Sequence, residues 1–143
     1  MAQVPYQPAG YRSVAPYLVV RDVPGLVDFL VRVFGGVEVE RSTLPDGTVL
    51  HAEVRIGDSI VMMGAARGES EPTRTALYVY VPDADAVHHA ALAAGATSLR
   101  APANQFYGDR CAGVRDPFGN DWWMATHLED VAPDEMERRL SSK

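Results

Sequence analysis

The chain has 143 residues, of which 47% are hydrophobic and 22% are charged, so a globular domain is expected rather than a disordered or fibrous chain. Nineteen acidic residues against thirteen basic ones give a formal net charge of −6, which argues against nucleic acid or an anionic membrane as a partner. No apolar run reaches the roughly 20 residues that cross a bilayer. We find no secretory signal, and the single cysteine, Cys111, fits a reducing compartment, so a cytoplasmic location is expected.

The first part of the chain predicts an arm and a strand–helix–three-strand module. Residues 1–13 are rich in proline and glycine and predict an irregular N-terminal arm. In the module, 14–66, a β-rich run ends at Val20, Asp22 can cap a helix of about a dozen residues, and Gly35 can end that helix. Strands are then predicted over 37–41, 48–56 and 59–63, with a Pro-Asp-Gly turn at 45–47.

The second part, 75–130, repeats this pattern. Asp83 and Gly95 correspond to Asp22 and Gly35, at offsets of 61 and 60 residues. Such units are common enough to arise independently, but the nearly constant offset favours a duplicated module. The following segments are predicted as a strand over 97–99, an irregular stretch over 101–109, a strand over 110–115, an Asp-Pro-Phe-Gly-Asn turn at 116–120, and a strand over 121–126. The tail, 131–143, predicts a short charged helix over 132–140.

Strand alternation predicts which side chains share a face. A two-residue turn at Gly57-Asp58 places Val54 opposite Val61, Ala52 opposite Met63, Glu53 opposite Met62 and Arg55 opposite Ile60. The face formed by Ala52, Val54, Val61 and Met63 is apolar and should pack beneath the first helix. The opposite face carries His51, Glu53, Arg55, Ile60 and Met62, and it either meets solvent or lines a binding cavity.

Two further groups of residues are candidates for ligand binding. The stretch 105–110 combines Gln105, Tyr107 and Arg110 in a predicted loop, which suits a planar or anionic ligand. The alternative is structural, with Arg110 pairing with Asp109 or a backbone carbonyl. Aromatic and thioether side chains that would line one concave face suit a flat apolar ligand, unless they fill the interior of a small barrel; they are Tyr17, Tyr78, Tyr80, Trp123 and Met62.

The remaining reactive residues have plainer explanations. His88 and His89 are adjacent in the second predicted helix, point to different faces, and are expected at or near the surface. Cys111 follows Arg110 but should point to the opposite face of its strand, so it is expected to be buried and inert. The sequence has no phosphate-binding glycine loop, no zinc-type cysteine pairing and no serine-hydrolase signature.

The two modules, with Asp-Pro-Phe-Gly-Asn ahead of the last strand, resemble the vicinal oxygen chelate superfamily, which includes glyoxalase I, extradiol dioxygenases and bleomycin-resistance proteins. Residues 16–22, 51–63, 105–110 and 116–127 are most similar to its PhnB-like branch. The resemblance covers about 14–130 and implies an α+β fold, with two βαβββ modules forming a curled mixed sheet around a cavity and helices on the outer face. It also implies one glyoxalase-like domain overall and a homodimer.

The resemblance further implies where a metal would bind. The metal enzymes of the superfamily place one ligand on the first and last strand of each module, at positions that correspond here to Ala15, Met62, Ala76 and Trp123. Alanine and tryptophan cannot coordinate a divalent cation, and a thioether is a soft ligand suited to copper(I). We therefore expect no metal, no cofactor, and none of the Lewis-acid chemistry of the metal enzymes.

These observations predict a binder of a small apolar or aromatic molecule. The expected ligand contacts are Tyr17, His51, Glu53, Met62, Tyr78, Gln105, Tyr107, Arg110 and Trp123. The alternative is an atypical lyase or dioxygenase, in which His51, Glu53 and His127 surround a metal or His51 acts as a metal-free general base. A scaffold or regulatory domain with a filled pocket is a third possibility.

Overall fold

A computed structural model describes residues 3–143, which form two compact units, one ending at Arg74 and one spanning Thr75–Lys143. The first unit contains β1 (Tyr17–Val20), α1 (Val23–Phe34), β2 (Val37–Thr43), β3 (Val49–Ile56) and β4 (Ser59–Ala65). The second contains β5 (Ala76–Tyr80), α2 (Ala84–Ala93), β6 (Thr97–Asn104), β7 (Asp109–Arg115), β8 (Asp121–His127) and α3 (Pro133–Ser141).

Each unit has its own four-stranded mixed sheet. The strand orders are β1-β4-β3-β2 and β5-β8-β7-β6, and in both sheets the first pair is parallel and the other two are antiparallel. The helix α1 packs on its sheet mainly through β3, and α2 packs mainly on β7 and β6. The α+β class and the two βαβββ modules are thus confirmed. Within residues 3–143, no helix has the length and apolar character needed to cross a bilayer.

Both predicted aspartate caps are present. The Asp22 carboxylate accepts a hydrogen bond from the backbone N–H of Gly25 at 3.0 Å, and that of Asp83 accepts one from Ala86 at 3.1 Å. Gly35 ends α1 with φ of 65°, the left-handed conformation that glycine adopts without steric cost.

The β3–β4 hairpin confirms the predicted register. Val54 pairs with Val61, Ala52 with Met63, Glu53 with Met62 and Arg55 with Ile60. The predicted apolar face is buried: Ala52, Val54, Val61 and Met63 are all less than 5% exposed. Together with the apolar side of α1 they form the core of the first unit. The other face of the sheet therefore stays free for His51, Glu53 and Met62.

The strand β6 is longer than expected. It continues to Asn104, into the stretch that was predicted to be irregular, and it is the edge strand of its sheet. Its pairing with β7 shifts register on either side of Arg100, and Pro102 lies between Arg100 and Ala103. Proline is tolerated in a strand at an edge or at an irregularity, so its presence does not prevent pairing here.

Candidate functional site

The arm of the first unit lies over the free face of its sheet, and together they line an open cavity of about 470 Å³. Its walls are largely aromatic and aliphatic, with one buried carboxylate and a few polar groups; they comprise Tyr6, Gln7, Pro8, Tyr11, Arg12, Ser13, Ala15, Glu53 and Met62. Two contacts hold the arm there, since the Tyr11 hydroxyl donates to Glu53 and the Arg12 guanidinium pairs with Asp58 at 3.0 Å. Such a volume suits a small organic molecule.

Glu53 is the centre of a hydrogen-bonded chain on this face. It is only 7% exposed, its Oε1 accepts from the Tyr11 hydroxyl, and its Oε2 lies 2.8 Å from His51 Nε2. The Tyr17 hydroxyl lies 3.4 Å from His51 Nδ1. Desolvation by burial raises the pKa of Glu53, but the hydrogen bonds from His51 and Tyr11 outweigh it, and the pKa lies below its ordinary value. The side chain is therefore an anion at neutral pH.

A glycine makes room for the aromatic ring beside this chain. Tyr17 pairs with Met62 across β1 and β4, and a Cβ added to Gly64 would meet the Tyr17 hydroxyl and ring carbons. The Tyr17 side chain can therefore lie across β4, which also places its ring 5.6 Å from that of His51. Tyr17 remains 51% exposed, so its ring is available for contact with a ligand.

The second unit contains a separate cluster around Asp109. This carboxylate is 2% exposed and accepts hydrogen bonds from the hydroxyls of Tyr78 at 2.7 Å and Tyr80 at 3.1 Å, and from His127 Nδ1 at 2.7 Å. The other ring nitrogen of His127 lies 2.7 Å from Asp130. Burial raises the pKa of Asp109, the three donors lower it by more, and the carboxyl stays ionised.

A row of side chains also crosses the second sheet in register. Tyr78 pairs with Trp123, Trp123 with Gly113, and Gly113 with Arg100. A Cβ on Gly113 would meet three Trp123 ring atoms at 2.3 to 2.9 Å, so the indole lies directly against the backbone of β7. The Arg100 guanidinium lies 5.4 Å from the centre of the Trp123 ring, a cation–π contact.

The structure distributes the predicted ligand contacts between these places. Tyr17, His51, Glu53 and Met62 lie together on the free face of the first sheet, while Tyr78, Tyr107 and Trp123 belong to the second unit, where the Tyr78 and Tyr107 hydroxyls are 3.3 Å apart. Gln105 donates to the backbone carbonyl of Ala103. Arg110 makes a bidentate ion pair with Asp85 of α2, at 2.6 and 2.9 Å, and so lies on the helix side of its sheet.

Sequence reasoning predicted the arm but missed its contact with the sheet, and it missed the role of Asp109. Tyr11 contacts a residue 42 positions away, and the arm has no periodicity from which that contact could be predicted. For Asp109 there was a usable signal: strand alternation places it on the face opposite Arg110, and opposite His127 in the β7–β8 ladder. His88 is also a correction, because it is 9% exposed and bonded to Ser98 rather than lying at the surface.

The positions at which the resemblance would place metal ligands do not fit a divalent cation. Ala15 and Met62 line the cavity of the first unit, while Ala76 and Trp123 stand in β5 and β8 of the second. None of these side chains offers a carboxylate, an imidazole or a thiolate. His127, the third ligand of the alternative His51/Glu53/His127 site, bonds to Asp109 and Asp130 instead. Across residues 3–143, no three His, Cys, Asp or Glu side chains are grouped as a metal site requires.

The sequence is similar to one protein family and to two curated mycobacterial proteins. Residues 12–124 match the family described as the Glyoxalase/Bleomycin resistance protein/Dioxygenase superfamily. Over 142 residues the chain is 36% identical to "Uncharacterized protein Mb0911c" of Mycobacterium bovis, which covers 92% of this chain and 93% of that protein. It is also 36% identical to "Uncharacterized protein Rv0887c" of Mycobacterium tuberculosis, with coverage of 92% and 84%.

Solved structures with a similar fold match the same family. TioX from Micromonospora sp. ML1 superposes with a TM-score of 0.69 at 31% identity, covering 80% of this chain and 97% of TioX. A glyoxalase/bleomycin resistance protein/dioxygenase family enzyme from Burkholderia phytofirmans PsJN superposes with a TM-score of 0.66 at 23% identity, covering 80% and 97%, and shares the fold. The match across most of the chain and the duplicated βαβββ architecture establish that this protein belongs to the glyoxalase/bleomycin resistance/dioxygenase superfamily.

Proposed function

We propose that this protein binds a small apolar or aromatic molecule without the metal site of its superfamily's metal enzymes. The observation that carries this proposal is the cavity of about 470 Å³ in the first unit, whose walls are mainly tyrosine, proline, alanine and methionine side chains. Aromatic and thioether groups bind flat molecules by stacking and by removal of apolar surface from water. The proposed contacts in this unit are Tyr17, His51, Glu53 and Met62.

The exposed aromatic side chains support the same class of ligand. Tyr6 is 99% exposed and lines the cavity, so a ligand could cover it and remove its ring from water. In the second unit, Tyr78 and Trp123 share a row of the sheet, and we propose that they contact an aromatic ligand as well. Gln105, Tyr107 and Arg110 stay proposed contacts of this unit, Arg110 through rearrangement of its ion pair with Asp85.

Elemental analysis tests the metal-free part of the proposal. Protein purified without chelator is soaked with Mn, Ni, Zn and Fe and then desalted. Less than about a tenth of an equivalent of metal is expected, because the four positions lack hard or borderline donors. About one equivalent, lost on His51→Ala, would contradict the proposal and would direct the work to lyase and dioxygenase assays.

A second candidate is a metal-free reaction that uses His51 as a general base. The observation in its favour is the Tyr17–His51–Glu53–Tyr11 chain, in which a buried carboxylate orients an imidazole at 2.8 Å. The candidate predicts a turnover that is lost on His51→Ala while the folded state is retained. Turnover that survives this substitution would rule out His51 as the base.

Three further features are proposed, two from the resemblance and one from the cysteine content. We propose membership of the PhnB-like branch, a homodimer and a cytoplasmic location, the last supported by the single, buried Cys111. Light scattering on the purified protein tests the second feature: a mass of about twice 15.5 kDa is expected, and a monomer at all concentrations would contradict it.

A further inference from the structure

We infer that the ligand of this cavity carries a protonated amine, which forms an ion pair with the carboxylate of Glu53. The inference rests on the proposed function and specifies its ligand class: an aromatic or aliphatic body attached to an organic cation. It is carried by the position of Glu53 in the cavity wall, by its hydrogen-bond partners and by the charges of the described residues around it.

The partners of Glu53 leave room for another donor. A carboxylate has about four lone-pair sites, and Glu53 uses one on each oxygen, for the Tyr11 hydroxyl and for His51 Nε2. When ionised, Glu53 can only accept hydrogen bonds, so Nε2 carries the proton. The other ring nitrogen, Nδ1, lies 3.4 Å from the Tyr17 hydroxyl, so both ring nitrogens of His51 have a partner.

The carboxylate of Glu53 is paired with an imidazole rather than with a permanently charged side chain. In the described part of the chain, no Arg or Lys side chain forms an ion pair with Glu53, and His51 is its only basic contact. Arg12 lines the same cavity, but its guanidinium is bound to the carboxylate of Asp58. A ligand ammonium group would add a full positive charge and a charge-assisted hydrogen bond at a free lone-pair site of this carboxylate.

The rest of the wall defines the remainder of the ligand. Tyr6, Pro8, Ala15 and Met62 offer apolar contacts but no further charge, and the hydroxyl of Tyr11 is already donated to Glu53. An arylalkylamine matches this arrangement, because its ring can lie among the apolar side chains while its ammonium group reaches the carboxylate. A carboxylate-bearing ligand of the same shape would instead be repelled.

Three probes of one shape test the inference: 2-naphthylmethylamine, 2-naphthylmethanol and 2-naphthoate, titrated by calorimetry at pH 7. The amine is expected to bind roughly ten- to a hundredfold more tightly than the alcohol, because a hydrogen bond between two charged groups is stronger than one to a neutral hydroxyl. The naphthoate should bind least. In Glu53→Gln the amine and the alcohol should bind within about threefold of each other. Glu69→Gln, which removes an exposed carboxylate of the loop after β4, is the matched control and should keep the preference.

A second variant keeps the test decisive if Glu53→Gln does not fold. Tyr11→Phe removes one donor from Glu53 while keeping the ring, so the ratio of amine to alcohol affinity should increase. An equal affinity for amine and alcohol in the wild-type protein would overturn the inference, as would a preference that Glu53→Gln leaves intact. In those cases the proposed binding function still stands. If none of the three probes binds, the proposed function itself fails.

Discussion

The carboxylate of Asp116 stabilises the Asp-Pro-Phe-Gly-Asn turn that precedes the last strand. Its Oδ1 accepts from the backbone N–H groups of Phe118 and Asn120, and its Oδ2 accepts from the indole N–H of Trp122 at 2.8 Å. Asp116 is 3% exposed and Trp122 is fully buried. One carboxylate thus closes the turn and satisfies the largest side chain of the core, which no hydrophobic residue could do.

Asp116→Ala is therefore expected to lower the free energy of unfolding by roughly 2 to 4 kcal/mol, because it removes a buried carboxylate that accepts three hydrogen bonds. Urea unfolding measures the loss. Asp46→Ala is the matched control: Asp46 occupies the Pro-Asp-Gly turn of the first unit, where it is exposed and accepts from the backbone of Thr48. Losses of equal size in the two variants would contradict this role for Asp116.

At Gly113 the expected effect of a substitution is steric and does not involve hydrogen bonds. Gly113→Ala places a methyl group within 2.3 Å of the Trp123 ring, so the indole must move, at an expected cost of roughly 1 to 3 kcal/mol in unfolding free energy. The same substitution in a Trp123→Ala background should cost much less, since the clashing ring is gone. Additive losses in the double variant would show that Trp123 is not the cause.

At the scale of elements, the N-terminal arm is the part of the first unit that completes the cavity. Six of the nine lining residues lie within the arm, from Tyr6 to Ser13. Deletion of residues 1–13 is expected to weaken ligand binding by about tenfold or more, because the shortened protein buries less of the ligand's surface. The circular dichroism of the sheet and helix should be retained. Deletion of residues 1–5, which removes none of the lining residues, should leave the affinity near that of the intact chain. Equal affinity after both deletions would exclude the arm from the site.

The link between β8 and the tail that follows it depends on pH. His127 donates to Asp109 and to Asp130, and these two hydrogen bonds, that with Asp109 foremost, raise the pKa of His127 above its ordinary 6.5. The contribution of these hydrogen bonds to the stability of the folded state is therefore complete below pH 6.5, and it is lost as the pH rises through the raised pKa of His127. NMR titration should show that Asp130→Asn lowers the pKa of His127. An unchanged His127 titration in this variant would refute the link.

Elements with local signals were the predictable part of this fold. Asp22 and Asp83 capped the helices as expected, and the two-residue turn at Gly57-Asp58 was sufficient to predict four pairs of the β3–β4 ladder. These features depend on backbone geometry within a few residues. The contact of Tyr11 with Glu53 and the pairing of Arg110 with Asp85 depend on tertiary approach across 42 and 25 positions, for which a single sequence holds no signal.

At the scale of the whole molecule, duplication gives two sheets with the same strand order but different chemistry on their free faces. The first unit carries the His51–Glu53 chain under the arm, whereas the second carries the Asp109 cluster and the Tyr78–Trp123–Gly113–Arg100 row. Fold alone does not determine function. The proposed binding therefore depends on the cavity of the first unit, and the methionines of β4 give a direct probe of that cavity.

Metal-free binding in this cavity is tested by titrating chelator-treated protein, labelled with ¹³C-methyl methionine, with 2-naphthylmethylamine. Met62 lines the cavity, whereas Met63 lies fully buried on the opposite face of β4 and Met124 lies in the core of the second unit. We expect a saturable shift of the Met62 methyl signal without added metal, with Met63 and Met124 nearly unmoved. A Met62 signal that stays fixed at millimolar ligand, or that responds only after Mn, Ni, Zn or Fe is supplied, would contradict metal-free binding in this cavity.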